Sequence, residues 1–290
     1  MHFINSNFKI KKYKKPYPYV VIEDFFEEDF YKKLQNNFPS QTDFKSQLNK
    51  INRMNYDTSY KDKLYNELIK KQGEYNELHN YIYSSKFIEY FISLFKDDLK
   101  SEIKKKNLKD IFKYNINSDP YETKKIISKQ DVKVNNIENI LYPRLDLGMG
   151  ILGYGKKTGG KGIHVDNPQR LISILIYFGG YESIEGGELR IWKKCKDKLT
   201  IDNIIEPKPN VVVASVQSNI SFHDVNPVTK INGTRNACYI AISSNNKIWK
   251  NIEYNNFNKR FHKNRLVNKL SFLKKIKIYL SKFLRFRNEK

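Results

Sequence analysis

The sequence predicts an α+β chain whose main part is β: a jelly-roll, or double-stranded β-helix, with supporting helices on its N-terminal side and a basic helix at its C-terminal end. Three observations predict it. After Ile140 the chain becomes a series of short apolar runs separated by Gly, Pro and Asn, the pattern of many short strands. Before that point apolar residues recur at helical spacing, and beyond residue 264 they do so again on a lysine-rich background. A helical lead-in followed by many short strands suggests two packed sheets with an open mouth, a place for a site.

The divisions that follow are 1–15, a basic and mobile arm; 16–138, helical support and an insertion; 139–246, the β core; and 247–290, a basic amphipathic tail. Tyr17 to Ile22 reads as a strand, since aromatic and β-branched residues cluster there and the prolines stand at its start. Glu27, Glu28 and Asp29 put acids where a helix dipole favours them, and Phe30, Leu34 and Phe38 form one helix face that Pro39 ends. Between Asp43 and Leu99 the helical pattern returns, with a break at Gly73 and an N-cap at Ser84-Ser85 ahead of Phe87, Phe91 and Phe95. His79 there has no second ligand at a useful spacing and reads as a surface or boundary histidine. Lys100 to Asn139 is polar with little periodicity, an irregular insertion or lid. The expected strands of the core are 141–147, 150–154, 171–178, 187–193, 210–216, 219–223 and 236–243, with turns at 182–187 and 206–210.

Lys and Arg (53) exceed Asp and Glu (31) by 22. Fourteen of the basic residues lie in 247–290, against Glu253 and Glu289 only. The Lys, Asn, Ile, Tyr and Phe richness also fits an AT-rich coding bias. In the tail, Leu266, Leu270, Leu273, Ile276, Leu280 and Leu284 make one stripe of a helix. It is expected either to pack on the domain with a solvated basic face, or to attach to an anionic surface or nucleic acid. Cys195 and Cys238 are far apart and lack CxxC spacing, so neither a disulfide framework nor a zinc-thiolate site is indicated. No apolar run approaches the roughly 18 to 20 residues of a membrane span, and no signal peptide is evident, so a soluble, cytoplasmic protein is expected.

The chemistry concentrates between His164 and Arg235. His164 and Asp166 stand two apart, so on an extended chain they leave one face, and they lead directly into an apolar strand. His223 supplies a third ligand. Two imidazoles and one carboxylate leave one face of an octahedral metal open; the set alone admits iron, zinc or manganese. Arg235, twelve residues beyond His223, can enter the same cavity and clamp a carboxylate with its planar fork, and a buried cation in a sheet needs such a partner. Tyr177 ends the strand after the His-x-Asp turn and offers a hydroxyl to the same oxygens. Two other readings stand beside this one: a non-catalytic β-sandwich binding module gripping nucleic acid or an anionic surface through its basic tail, and a cupin-like enzyme using another metal.

Several runs occur in order: Tyr154 with its Gly-rich approach to His164, His164-Val-Asp-Asn-Pro168, Arg170 leading the strand to Tyr177, Gly186-Gly-Glu-Leu-Arg-Ile-Trp192, Ile205-Glu-Pro-Lys208, His223-x-Val225-x-Pro227, and Arg235. As a set they resemble the prolyl 4-hydroxylase-like branch of the 2-oxoglutarate and Fe(II)-dependent dioxygenases over about 139–244. The lead-in Tyr17 to Pro39 is similar to that of microbial and viral members. The resemblance implies Fe(II) held by His164, Asp166 and His223, with 2-oxoglutarate held by Arg235, Tyr177 and Tyr154. It further implies dioxygen as co-substrate, ascorbate as reductant, and hydroxylation of a protein side chain such as proline, a small molecule or a sugar, releasing succinate and CO2. The turn after Pro168 is shorter than the family's, and 100–139 has no counterpart, so the substrate does not carry over.

Overall fold

Two antiparallel-dominated sheets face each other in the computed structural model, which describes residues 3–43, 53–57, 63–106, 111–117, 139–155, 162–196 and 198–249. These all belong to one compact unit, Met1–Lys250; the second unit, Asn251–Lys290, and with it the expected tail helix, lies outside the described residues. The strands are β1 Lys9–Tyr13, β2 Tyr19–Glu23, β3 Arg53–Asp57, β4 Asn115–Ile116, β5 Ile140–Gly150, β6 Arg170–Glu185, β7 Leu189–Cys195, β8 Lys198–Ile205, β9 Val211–Val216, β10 His223–Val225 and β11 Lys230–Ser244. The larger sheet runs β1-β2-β9-β6-β11-β5-β3, with β4 added parallel to β5; the smaller runs β10-β7-β8. The mainly β core with a helical lead-in is the jelly-roll the sequence predicts.

Among the described residues the α-helices are α1 Glu28–Asn36, α2 Lys63–Lys71, α3 Gly73–Ile82, α4 Ser85–Leu94 and α5 Lys96–Lys106. Gly73 opens α3 directly after α2 ends, and the Ser84 side chain caps α4 by accepting from the Phe87 N–H, as its position predicts. α1 lies on the outer face of β6: the Tyr31 hydroxyl donates to the Phe178 carbonyl at 2.9 Å, and the Phe38 and Phe178 rings are 5.7 Å apart. α3 is tied to α1 by the Tyr75 hydroxyl on the Leu34 carbonyl at 2.7 Å. With helices outside and the smaller sheet inside, β6 is covered on both faces, which is why Leu171 to Phe178 is nearly continuous in apolar residues rather than alternating. His79 is half-buried, with the Tyr65 hydroxyl on its Nδ1 at 2.8 Å, and burial lowers its pKa to about 4. It is a packing histidine.

Register decides what the inner face of the large sheet offers. Arg235 stands opposite Gly150; Ala237 stands between Gly148 and Tyr177; Tyr239 stands between Asp146 and Leu175. Small residues flank the arginine and Tyr177, so the inner face leaves a hollow where those long side chains converge. Facing it, Leu189 and Ile191 of the smaller sheet join Tyr19, Val21, Val211 and Val213 in the core between the sheets.

Several expectations are corrected. The arm of residues 1–15 contains β1, paired residue for residue with β2 from Lys9↔Glu23 to Tyr13↔Tyr19; Lys9, Lys11 and Lys12 mask the strand as a charge run. The expected strand 150–154 is a turn, because Gly153 and Gly155 take φ of 81° and 84°, folding Tyr154 back over Gly150, where a Cβ would meet the tyrosine ring at 2.8 Å. The strand expected at 219–223 is β10, at His223–Val225. β6 continues through Glu185, so the turn expected at 182–187 shrinks to Gly186-Gly187, and β8 was not foreseen. The insertion is partly regular, since α5 reaches Lys106 and β4 pairs with β5; 118–138 lies outside the described residues. Ile248 and Trp249, assigned to the tail, are buried at 7% and 3% exposure. Among the described residues no helix is long and apolar enough to cross a membrane.

Candidate active site

His164 lies on an isolated bridge to His223: each backbone N–H donates to the other's carbonyl, at 3.0 and 2.9 Å. The bridge joins the His-x-Asp turn to β10 and sets the two imidazole centroids 4.5 Å apart. Each ring has its Nδ1 on a carbonyl, His164 on Gly162 at 2.7 Å and His223 on Ser221 at 2.9 Å. A carbonyl can only accept, so in these bonds Nδ1 carries the proton and both Nε2 lone pairs are left for a metal. Asp166 completes the group, with Oδ1 3.9 Å from His164 Nε2 and Oδ2 3.8 Å from His223 Nε2; all three donor atoms lie within 4.8 Å of one another.

The carboxylate is itself held. Arg170 Nη1 pairs with Oδ1 at 2.9 Å and the Ser173 hydroxyl donates to Oδ2 at 2.6 Å. Burial opposes ionisation of Asp166, but Arg170, the two imidazoles and the Ser173 hydroxyl outweigh it and hold the group well below the usual carboxylate range. It is an anion, as a metal ligand must be. Behind His223, Asp224 takes Arg190 Nε and Nη2 at 2.8 and 2.5 Å and the Trp192 indole at 2.7 Å, while Arg190 Nη1 reaches Asn226 at 2.9 Å. This network pins β10 to β7 and explains the Arg190-x-Trp192 spacing.

Arg235 is fully buried. Its Nε donates to the Gly187 carbonyl at 2.8 Å and its Nη1 to the Tyr239 hydroxyl at 3.0 Å, and the Tyr239 and Tyr154 hydroxyls are 3.1 Å apart. The guanidinium carbon sits 4.9 Å from the Tyr177 ring centroid and 5.4 Å from that of Tyr154. Arg235 Nη2 and the Tyr177 hydroxyl are buried and make no hydrogen bond. Burial pushes the Tyr177 pKa up to about 12, with Arg235 opposing, so its hydroxyl stays protonated and able to donate. With Nε on Gly187, the side-on edge of the fork expected from the sequence is already committed. The unused donors are Nη2 and the tyrosine.

The three candidate ligands, Arg170, Tyr154 and Tyr239 line one cavity of about 240 Å³, to which Arg235 is joined through its hydrogen bond to Tyr239. The three candidate ligands come together, and so do Arg235, Tyr177 and Tyr154. Sequence reasoning missed three contributors. Tyr239, two inward-facing positions past Arg235 on the same strand, was findable by period-2 counting; Arg170 and Ser173 were not, since their contacts depend on how the turn folds. The donor set fits Fe(II) without strain on the ligands' own hydrogen bonds, and the two orphaned donors fit a carboxylate.

No curated protein matches the chain. Among solved structures it is similar to a prolyl 4-hydroxylase from Phytophthora capsici (18% identity, TM-score 0.44, covering 78% of this chain and 58% of that one), so it spans less than two thirds of that relative's length. It is also similar to a Trichoplax adhaerens prolyl hydroxylase in complex with a hypoxia inducible factor peptide fragment (13%, TM-score 0.39, 78% and 83%). A third is the viral collagen prolyl hydroxylase of Paramecium Bursaria Chlorella virus-1 (15%, TM-score 0.26, 42% and 69%). Residues 149–242, which include His164, Asp166, His223 and Arg235, match the family model of the 2OG-Fe(II) oxygenase superfamily, whose members use Fe(II) and 2-oxoglutarate.

Proposed function

We propose that the chain is an Fe(II)- and 2-oxoglutarate-dependent dioxygenase that hydroxylates a C–H bond, with His164, Asp166 and His223 holding the metal. The observation that carries this reading is the pair of buried, unpartnered donors, Arg235 Nη2 and the Tyr177 hydroxyl, joined through the Arg235–Tyr239 hydrogen bond to the cavity that Tyr239 and the three-donor cluster line. A buried guanidinium with an unused N–H is unfavourable unless an anion completes it, and the distal carboxylate of 2-oxoglutarate supplies that anion.

Iron, when bound, supplies with 2-oxoglutarate and dioxygen the oxidising power: one oxygen atom enters the substrate as a hydroxyl, the other enters succinate, and CO2 leaves. The protein's part is placement. The Nδ1 bonds of His164 and His223 orient both imidazoles, and Arg170 and Ser173 hold the carboxylate of Asp166. Arg235 and Tyr177 fix the far end of the co-substrate; Tyr154, linked to Arg235 through Tyr239, walls its flank. Leu175, Leu189, Ile191 and Val213 make the cavity wall apolar and limit water around the reacting atoms. The substrate sought is a peptidyl side chain such as proline, an amino acid or a sugar derivative.

Purified protein supplied with Fe(II) is expected to bind 2-oxoglutarate in anaerobic calorimetry and to form succinate in air. His164→Ala is expected to lower turnover by at least about a thousandfold, the loss expected when the centre doing the chemistry is removed. Absence of 2-oxoglutarate binding by the iron-loaded wild type would overturn the reading. Coupled succinate formation over a panel of peptides, amino acids and nucleotide sugars identifies the substrate.

A further inference from the structure

The turn that carries Asp166 is held from outside by a segment the active-site chemistry does not use. Pro168, Gln169 and Arg170 follow the ligand at once, and the turn closes on itself only through Arg170 N–H to the Asn167 carbonyl at 2.8 Å and Gln169 N–H to Asn167 Oδ1 at 3.1 Å. The carbonyls of Pro168, Gln169 and Arg170 are each met by the end of β11 or the chain just past it. Ser244 N–H donates to the Gln169 carbonyl at 2.8 Å, Ile248 N–H to Pro168 at 2.9 Å and the Trp249 indole to Arg170 at 3.1 Å. The Gln169 amide returns a bond to the Asn245 carbonyl at 3.3 Å.

This strap is anchored independently of the turn. A register shift between Ile242 and Ser243 turns it across the end of β6. Asn245 then exchanges bonds with the Ile140 backbone at the start of β5, at 3.1 and 3.4 Å, and Asn246 reaches Asn139 at 2.8 Å. Asn245, Ile248 and Trp249 are 2%, 7% and 3% exposed, so the strap is a fixed surface.

We infer that Ser244–Trp249 is a clasp on the metal-binding turn and that Trp249 is a positioning residue for Asp166, acting through Arg170. The path is contiguous: the indole fixes the Arg170 carbonyl at the first residue of β6, and the guanidinium of the same residue lies 2.9 Å from Asp166 Oδ1. A turn of this length does not satisfy these three carbonyls itself, and part-buried carbonyls left without donors would let the turn shift to find them. The strap removes that freedom, and with it the freedom of the carboxylate. The inference rests on the reading of His164, Asp166 and His223 as metal ligands.

The test is an anaerobic titration of the full-length chain with Co(II), reading affinity and the visible d–d bands. Trp249→Phe keeps an aromatic ring and removes only the indole donor. It is expected to weaken Co(II) binding about three- to tenfold and to move the d–d bands, and Arg170→Gln to weaken it about ten- to a hundredfold, the range for groups that hold a metal ligand in place. The double variant should be no weaker than Arg170→Gln alone, since the indole acts through that residue. Tyr75→Phe breaks a comparable buried bond between helices; it should lower the melting temperature and leave the Co(II) affinity unchanged. Gln169→Met, which removes the amide donor to Asn245, provides a milder variant should Trp249→Phe not fold, with a shift in the same direction. Wild-type affinity and spectrum in Trp249→Phe, or in Gln169→Met where the first variant is insoluble, overturns the clasp, as does simple additivity in the double variant. A wild-type chain that binds no Co(II) overturns the metal-site reading itself, a result distinct from a wild type that binds and variants that do not differ from it.

Discussion

The metal-ligand cluster and the buried group around Arg235 differ in how completely their polar atoms are satisfied. At the metal end every ligand is supported: both Nδ1 atoms sit on carbonyls and both Asp166 oxygens are engaged, by Arg170 and by Ser173. At the arginine end, Arg235 Nη2 and the Tyr177 hydroxyl are buried with nothing to bond. The metal end is therefore preorganised without its ligand, whereas the arginine end stores an unfavourable contact that only a bound anion relieves. On the proposed reading, the metal end is finished and the arginine end is completed by the co-substrate.

The sharpest way to break this contrast is to remove one charged group from each end. Arg235→Met should raise the dissociation constant for 2-oxoglutarate at least about a hundredfold, the scale of losing a buried charged partner, while changing the stability of the metal-free chain by no more than about 1 kcal/mol, because relief of the incompletely paired guanidinium offsets the lost bonds to the Gly187 carbonyl and the Tyr239 hydroxyl. Asp166→Ala should instead destabilise the metal-free chain by about 3 kcal/mol, because it strands Arg170. Calorimetry and urea unfolding measure both, and stability losses of equal size would erase the distinction. Tyr177→Phe is smaller. It should weaken 2-oxoglutarate about tenfold, the worth of one hydrogen bond to a charged group, with no loss of melting temperature in the ligand-free chain, since the hydroxyl has no partner to lose.

The smallest effect is in acid. The Asp166 carboxyl titrates below its unfolded value of about 3.9, so its contribution to stability is fully present above that pH and is lost as pH falls below it toward the depressed folded value. Urea midpoints of the metal-free chain should fall between about pH 4 and pH 2 more steeply in wild type than in Asp166→Asn. Equal slopes would mean that Arg170 and Ser173 do not hold the carboxylate as an anion.

Much of the site was legible from residue type and short-range spacing. His164-x-Asp166 places two donors on one side of an extended segment, and the cavity contains both; Arg235 and Tyr177 follow from strand alternation once the strands are found. The strand boundaries were less legible where glycines intervene. Ile151 to Tyr154 looks extended by composition, yet the positive φ of Gly153 and Gly155 folds it, and only then does Tyr154 come to lie over Gly150. β1 is hidden because Lys9, Lys11 and Lys12 read as a charge run until pairing with β2 shows that the segment is extended.

By itself the sequence determined which residue types could carry iron and carboxylate chemistry, and that apolar strands present them, because alternation and local turn chemistry act over a few residues. Only the tertiary structure decided which groups satisfy which. Arg235 meets a carbonyl 48 residues away, and Arg170 meets an indole 79 residues away. Such pairings follow from strand register, from the bulge near the end of β11 and from the packing of the strap. None of these is written in any short stretch of the chain, since each is settled by the whole fold finding donors for its buried acceptors.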